Sequence, residues 1–249
     1  MRFPYPQTIA FAGDWHGNTP YAIAAIHYAA GLGAEVIIQC GDFGYNFKDD
    51  FLQGLNHAAE ERSVIVLFVD GNHENFDWLY DQPVDEVGVR PLRERVWHLP
   101  RGFRWIWGGV RFLALGGGQS VDQHNRVPHV SWWPQERITQ SDLMRVGTEP
   151  TDVMVTHDAP IRAHVPLGKD KTWGFPDHLI EASQAHRWLM QMVVDEVKPR
   201  WLIHGHYHID YEDTVGDTQV VGLSFDGDAL EKNILVREVK GMGAGTQTG

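Results

Sequence analysis

A single cysteine in 249 residues, Cys40, leaves no intramolecular disulfide to form and gives no sign of an oxidising compartment. It falls in Val-Ile-Ile-Gln-Cys-Gly-Asp (36–42), where a small buried apolar residue near a strand end is expected rather than a catalytic thiol. No apolar run approaches the ~20 residues of a membrane-spanning helix. Residues 1–7 lack a basic stretch followed by an apolar segment, so no secretory signal is visible, and a cytoplasmic protein with no membrane partner is expected. Basic charge is also scarce: 21 Lys and Arg face 33 Asp and Glu, a net charge of −12. That disfavours a surface that tracks long nucleic acids, which needs a basic footprint. It leaves room for a small anionic substrate, because bound cations can set the charge of a site. No repeat and no linker interrupts the chain. One domain over residues 1–240 is expected, with a Gly/Thr-rich tail frayed over 241–249.

What is present is an alternation of strand-like and helix-like segments. Residues 8–13 read as a buried strand, 21–30 as a short Ala-rich helix after Pro20, and 35–40 as a second strand. Residues 49–61 place Phe51, Leu52, Leu55, Ala58 and Ala59 at helical spacing, and 63–69 form a third, nearly all-apolar strand. This βαβαβ order predicts a mainly parallel sheet with flanking helices, whose ligands gather beyond the carboxyl ends of the strands. Over 83–150 the character changes to a hairpin through 105–107 and 110–115, then an irregular stretch over 116–134 near the site. The alternation resumes with a strand at 152–156, a helix at 178–197 and strands at 200–203, 219–225 and 233–239. The group Arg90, Arg93, Arg95, Arg101 and Arg104 reads as a solvated face or, alternatively, as the lining of a substrate approach.

Five polar clusters follow these runs. Asp14 and His16 lie in Gly-Asp-Trp-His-Gly-Asn (13–18), Asp42 in Gly-Asp (41–42), and Asn72 and His73 in Gly-Asn-His-Glu (71–74). His157 lies in Thr-His-Asp (156–158), and His206 and His208 in Gly-His-Tyr-His (205–208). A strand that ends in a glycine and a ligand turn aims its side chains at the rim of a sheet, and several together can converge. A carboxylate such as Asp42 can bridge two cations. A mixed nitrogen and oxygen set without thiolates suits Mn²⁺, Fe, Zn²⁺ or Ni²⁺ better than Mg²⁺ alone. Two such ions about 3.5–4 Å apart can share a hydroxide and neutralise a phosphoryl group under in-line attack. Phosphoester hydrolysis is therefore a better reading than metal storage.

In this order the clusters resemble the calcineurin-like metallophosphoesterase family, whose pattern is Asp-x-His, Gly-Asp, Gly-Asn-His-Asp/Glu, His and Gly-His-x-His. The resemblance implies an α/β fold, an αββα sandwich of two mixed β-sheets flanked by helices, with a binuclear metal site at the strand C-terminal ends. It further implies one divalent ion held by Asp14, His16, Asp42 and His208 and a second by Asp42, Asn72, His157 and His206. His73 then contacts phosphate and protonates the leaving oxygen while a metal-bridging hydroxide attacks. Mn²⁺ is the ion expected to support activity in vitro.

One departure matters. The phosphatase branch of that family continues Gly-Asp with an Asp that orients the catalytic His and an Arg that grips phosphate; here those positions are Tyr45 and Asn46. Glu74, Asp77 or Asp122 can take over the orientation of His73, and Arg126 can supply the phosphate contact. Without the first Arg the expectation tilts from dianionic monoesters to diesters. The favoured function is a phosphodiesterase acting on a small nucleotide-like substrate, cyclic nucleotides included. A phosphomonoesterase acting on nucleotides or proteins is the alternative, and a non-catalytic interaction module on the same fold is a remote third. Trp132 and Trp133 either stack a nucleobase or pack. Gly116-Gly117-Gly118-Gln119-Ser120 either cradles a phosphate with backbone N–H groups or makes a tight bend. His204 is either a support for a ligand or a packing residue.

Overall fold

A computed structural model describes residues 3–168 and 174–243. The first half of the chain forms β1 (Thr8–Ala12), α1 (Thr19–Gly31), β2 (Val36–Gln39), α2 (Asp49–Glu61), β3 (Ile65–Phe68), α3 (Phe76–Asp81), β4 (Arg90–Pro91) and β5 (Val96–His98). Then come β6 (Arg104–Trp107), β7 (Val110–Leu115), α4 (Gln140–Val146), β8 (Val153–Thr156), α5 (Asp177–Val197) and β9 (Trp201–His204). The chain closes with β10 (Tyr211–Val215), β11 (Thr218–Gly222), α6 (Leu230–Asn233) and β12 (Ile234–Glu238). One six-stranded sheet has the order β12-β1-β2-β3-β5-β4 and the other β10-β11-β9-β8-β7-β6. Both are parallel in the middle and antiparallel at their edges.

The period-two alternation of the strands explains the layering. In β1, Ala10 and Ala12 join the cluster made with α1 and α2, while Ile9 and Phe11 join the cluster between the sheets. Small side chains on the helix face let α1 and α2 lie close. In β7, Phe112 and Ala114 face the same inter-sheet core, and Leu113 and Leu115 turn outward to Met190, Val193 and Val194 of α5. Helices, sheet, sheet and helices thus stack in four layers. Each fully buried Phe or Ile contributes about 1.5–3 kcal/mol. Cys40 lies in the inter-sheet core and burial pushes its thiol pKa well up, in keeping with a packing role. Among the described residues no helix is long and apolar enough to cross a membrane.

Several sequence expectations change. Helices α3 and α4 and strand β10 have no counterpart in the sequence pattern; α3 and α4 are six and seven residues long, too short for a clear helical period. Their capping groups are the surviving signal: Asn75 accepts from Trp78 N–H, and Thr139 and Asp142 form a capping box. The β6–β7 hairpin turns away from the strand C-terminal ends, its tip held where Trp107 Nε1–H donates to Pro4 O and Gly108 N–H to Tyr5 Oη. Within the arginine group, whose other members are partly exposed, Arg101 departs from the solvated-face reading. Arg101 is 4% exposed and paired with Asp70 and Asp142, and Arg90 covers the Tyr80 ring. Val239–Met242 form a 3-10 turn that buries Met242. Residues 244–249 lie outside the described residues.

Candidate metal centre

The seven proposed ligands and His73 meet beyond the C-terminal ends of both sheets. Asp14 and His16 leave β1, Asp42 leaves β2, and Asn72 and His73 leave β3. From the opposite sheet His157 leaves β8 and His206 and His208 leave β9. A parallel bridge from Asp14 to Phe225 joins the two sheets at this point. Glycines permit the approach: a side chain at Gly71 would strike the Asp42 carboxylate, and one at Gly205 would strike Asp14 Oδ1. Four non-glycine residues of the site hold positive φ: His16 at 47°, Asp42 at 54°, His206 at 68° and His208 at 59°. Strain of about 1–3 kcal/mol at such a residue persists only where its surroundings over-determine it, typically at functional sites.

Asp42 is the hub. Its Oδ2 lies 3.6 Å from His16 Nε2 and 3.8 Å from His73 Nε2, and its Oδ1 lies 3.4 Å from His157 Nε2. Oδ1 also accepts the N–H groups of Asn72 and His73, both at 2.9 Å. Asp14 Oδ2 is 3.1 Å from His208 Nε2 and 3.8 Å from His16 Nε2. Asn72 Oδ1 is 2.9 Å from His157 Nε2, and the His206 ring centre is 4.8 Å from that of His157. Second nitrogens are committed elsewhere: His157 Nδ1–H donates to Cys40 O at 2.9 Å and His16 Nδ1–H to Asp226 Oδ1 at 2.7 Å. Each leaves Nε2 facing the centre, the arrangement of a metal-binding imidazole.

Electrostatics carry the same message. Burial opposes a charge on His16 and on His157, yet Asp42 and Asp14 raise both imidazoles to about 10. Burial pushes the Asp42 carboxyl up, and His157, His73 and His16 hold it well below the usual range. The two carboxylates favour positive charge here, held as protons on these imidazoles or by a cation in their place. Burial, assisted by His157, lowers His206 to about 4. For His73 burial acts with Arg126 and His16 against Asp42, and the imidazole falls to about 4.

Among the candidate orienters of His73, Glu74 points elsewhere. Its carboxylate accepts Phe43 N–H at 2.6 Å and Gly71 N–H at 2.7 Å and so clamps the β2 and β3 ligand loops together. Asp77 is taken by His129 and Trp133. Asp122 reaches His73 at one remove, through Arg126: Arg126 Nη2 donates to Asp122 Oδ2 at 2.8 Å, and the guanidinium lies against both ring nitrogens of His73, 2.8 Å at Nε2. Tyr45 packs edge-on to His73 and stacks at 24° on His16. A cavity of about 330 Å³ opens here between Tyr45, Asn46, His73, Arg126 and Trp133, and one of about 210 Å³ lies on the His16 side of Tyr45, toward Lys48. Trp133 is buried, its indole N–H held by Asp77; Trp132 sits under Arg137 instead and lines neither cavity. Gly117, Gly118 and Ser120 donate their N–H groups to Asp70 O, Glu136 O and Glu136 Oε1. Of the two readings of this segment, these bonds support the tight bend. His204 is buried, its Nε2 2.8 Å from Tyr211 Oη, and packs apart from the centre. A larger cavity, about 610 Å³ between Tyr80, Arg90, Phe103 and Arg145, contains none of the motif residues. Its arginines are already engaged with carbonyls, Asp70 and Asp142, so size alone does not make it the reaction site.

The sequence profile of the calcineurin-like phosphoesterases matches residues 7–210. The chain belongs to this family. Two solved structures show the same fold at low identity. The protein TT1561 of Thermus thermophilus is 15% identical, with a TM-score of 0.54 over 94% of this chain and 99% of that one. A dimetal phosphatase from Danio rerio is 14% identical, with a TM-score of 0.55 over 94% and 93%. No curated protein matches the chain. Membership implies divalent metal ions, and the donors of this phosphoesterase fit them. Asp14, His16 and His208 form one group and Asp14, Asp42 and His157 another, with a ligand atom from each residue within 4.8 Å of the others in its group. Two buried carboxylates among neutral donors, with no thiolate, suit hard or borderline cations. Sequence reasoning missed Asp226 and Glu136, and it singled out Ser120 for its backbone rather than for the hydroxyl that meets Asn72; all three touch these ligands or their loops across long stretches of chain.

Proposed function

We propose that the chain is a metal-dependent phosphodiesterase for small, nucleotide-like substrates, cyclic nucleotides included. The observation that carries this reading is the convergence of seven nitrogen and oxygen donors at strand ends of both sheets. Asp14, His16, Asp42 and His208 would hold one ion and Asp42, Asn72, His157 and His206 the other. Bound there, divalent cations lower the pKa of water and offset phosphoryl charge.

The side chains of the rim would bind, orient and move the proton. Arg126 grips a phosphoryl oxygen, and His73 delivers a proton to the leaving alkoxide. The Arg126 guanidinium lies against His73. A phosphate entering between them takes the guanidinium's donors and leaves the imidazole beside an anion, the setting in which it carries a proton. Diesters are favoured over monoesters because Tyr45 and Asn46 occupy the positions of an orienting Asp and a second phosphate-gripping Arg. A monoanionic diester needs fewer cationic donors than a dianionic monoester.

With Mn²⁺, hydrolysis of bis-(p-nitrophenyl) phosphate should exceed that of p-nitrophenyl phosphate, vanish after chelation and dialysis, and return when Mn²⁺ is restored. Preference for the monoester rejects the diesterase reading, and full activity in excess chelator rejects metal dependence altogether.

A further inference from the structure

Asn72 owes its orientation to residues that the ligand motifs do not include. Its Nδ2 donates to Ser120 Oγ at 2.9 Å, and Ser120 O–H donates to Glu136 Oε2 at 2.5 Å. Glu136 Oε1 accepts Ser120 N–H at 3.0 Å and Gln119 Nε2 at 3.3 Å. Among the described residues this carboxylate meets donors, and the Ser120 O–H and N–H favour its ionised form against the burial that raises its pKa. As an anion it cannot donate, so the serine hydroxyl points to Glu136 and its oxygen accepts from Asn72. The amide is therefore polarised in one direction, with Nδ2 toward Ser120 and Oδ1 toward His157 Nε2, 2.9 Å away.

That second contact is the informative one. His157 Nδ1–H is committed to Cys40 O, so Nε2 is the ring atom that faces Asn72 Oδ1. Asp42 and Asp14 favour a proton on this imidazole, whose Nε2–H then donates to Asn72 Oδ1; a metal ion that displaces that proton would meet lone pairs from both atoms. Gly118 carries the serine past the pair: a Cβ there would lie 3.1 Å from His157 Cδ2 and 3.2 Å from Asn72 Oδ1, and its N–H donates to Glu136 O at 2.9 Å.

We propose that Ser120 and Glu136 are positioning residues that lock the Asn72 amide with its oxygen toward a metal ion. The proposal rests on the reading of Asn72 as a ligand. Ser120→Ala leaves Nδ2 unpaired, and Glu136→Gln offers a donor that can reverse the serine hydroxyl and with it the amide.

The test is calorimetric titration of the metal-free full chain with Mn²⁺, alongside circular dichroism to confirm the fold. In Ser120→Ala, Glu136→Gln and the volume-conserving Ser120→Cys, one of the two ions should bind about 10–100-fold more weakly while the other is unchanged; Ser120→Thr, which keeps the hydroxyl, should restore binding. Asn72→Ala is the control. If it is weakened at one ion while the folded Ser120 and Glu136 variants bind both ions as wild type does, the positioning role is wrong and the ligand reading stands. If Asn72→Ala itself binds both ions as tightly as wild type, the ligand reading falls and the proposal falls with it.

Discussion

The floor of the centre and its rim are built differently. On the floor Asp14, Asp42 and His157 are at most 2% exposed and hang from strand ends of two sheets. Their loops are tied by backbone-to-carboxylate bonds such as those of Glu74 and Asp42. On the rim Tyr45 is 42% exposed. Arg126 and Trp133 come from a stretch whose helical content, up to α4, is two 3-10 turns, and Arg126 reaches His73 by a side-chain contact. A buried floor with a loop-borne rim would let Arg126 and Trp133 vary with the substrate while the donors stay fixed, provided the same stretch keeps Ser120 and Glu136 against Asn72.

The widest separation of floor from rim should come from one pair of substitutions. Asp42→Asn removes the shared charge and should lose both Mn²⁺ binding and turnover. His73→Ala should lower kcat by about 10²–10⁴ with Mn²⁺ affinity, measured by calorimetry, kept. Equal loss of metal in both would erase the distinction.

Next in size is the tie between the two regions. Arg101 binds Asp70, at the end of β3, and the carbonyls of Gln135, Glu136 and Arg137 under the rim loop. Arg101→Met leaves Asp70 buried with His98 as its remaining side-chain partner and should cost about 3–5 kcal/mol in urea unfolding. A loss below about 1 kcal/mol, the range of an exposed pair, would mean that floor and rim are not joined there.

The smallest contrast lies within the rim. Arg126→Ala should reduce kcat/KM for a diester by about 10–100-fold, the worth of a hydrogen bond to a charged group. Trp132→Ala should change it by less than about threefold, as for a residue outside such features. A large effect at Trp132 would return it to the substrate site.

The floor can be read in the sequence because each of its residues sits where an apolar run stops, and the order of the stops is itself informative. The four layers follow from the same runs. The clamps cannot be read: Glu74 holds Phe43, and Glu136 holds Ser120, and neither pairing follows from local spacing. Adjacency is all a sequence offers for Glu74, and adjacency suggests His73 as its partner. Arg101 reads as one of a solvated group because charge clustering says nothing about burial. Trp132 and Trp133 are adjacent in sequence, yet one meets Arg137 and the other Asp77; a loop without periodicity gives no basis for telling them apart.

The left-handed backbone at His16, Asp42, His206 and His208 bears on whether these motifs can be moved. A free peptide carrying Gly-Asp-Trp-His-Gly-Asn has nothing to hold its histidine at φ 47°, so it relaxes and its imidazole turns away. Portability therefore ends at the loop. A graft that borrowed the donors without the two sheets would inherit the letters of the motif and lose its grip on a cation.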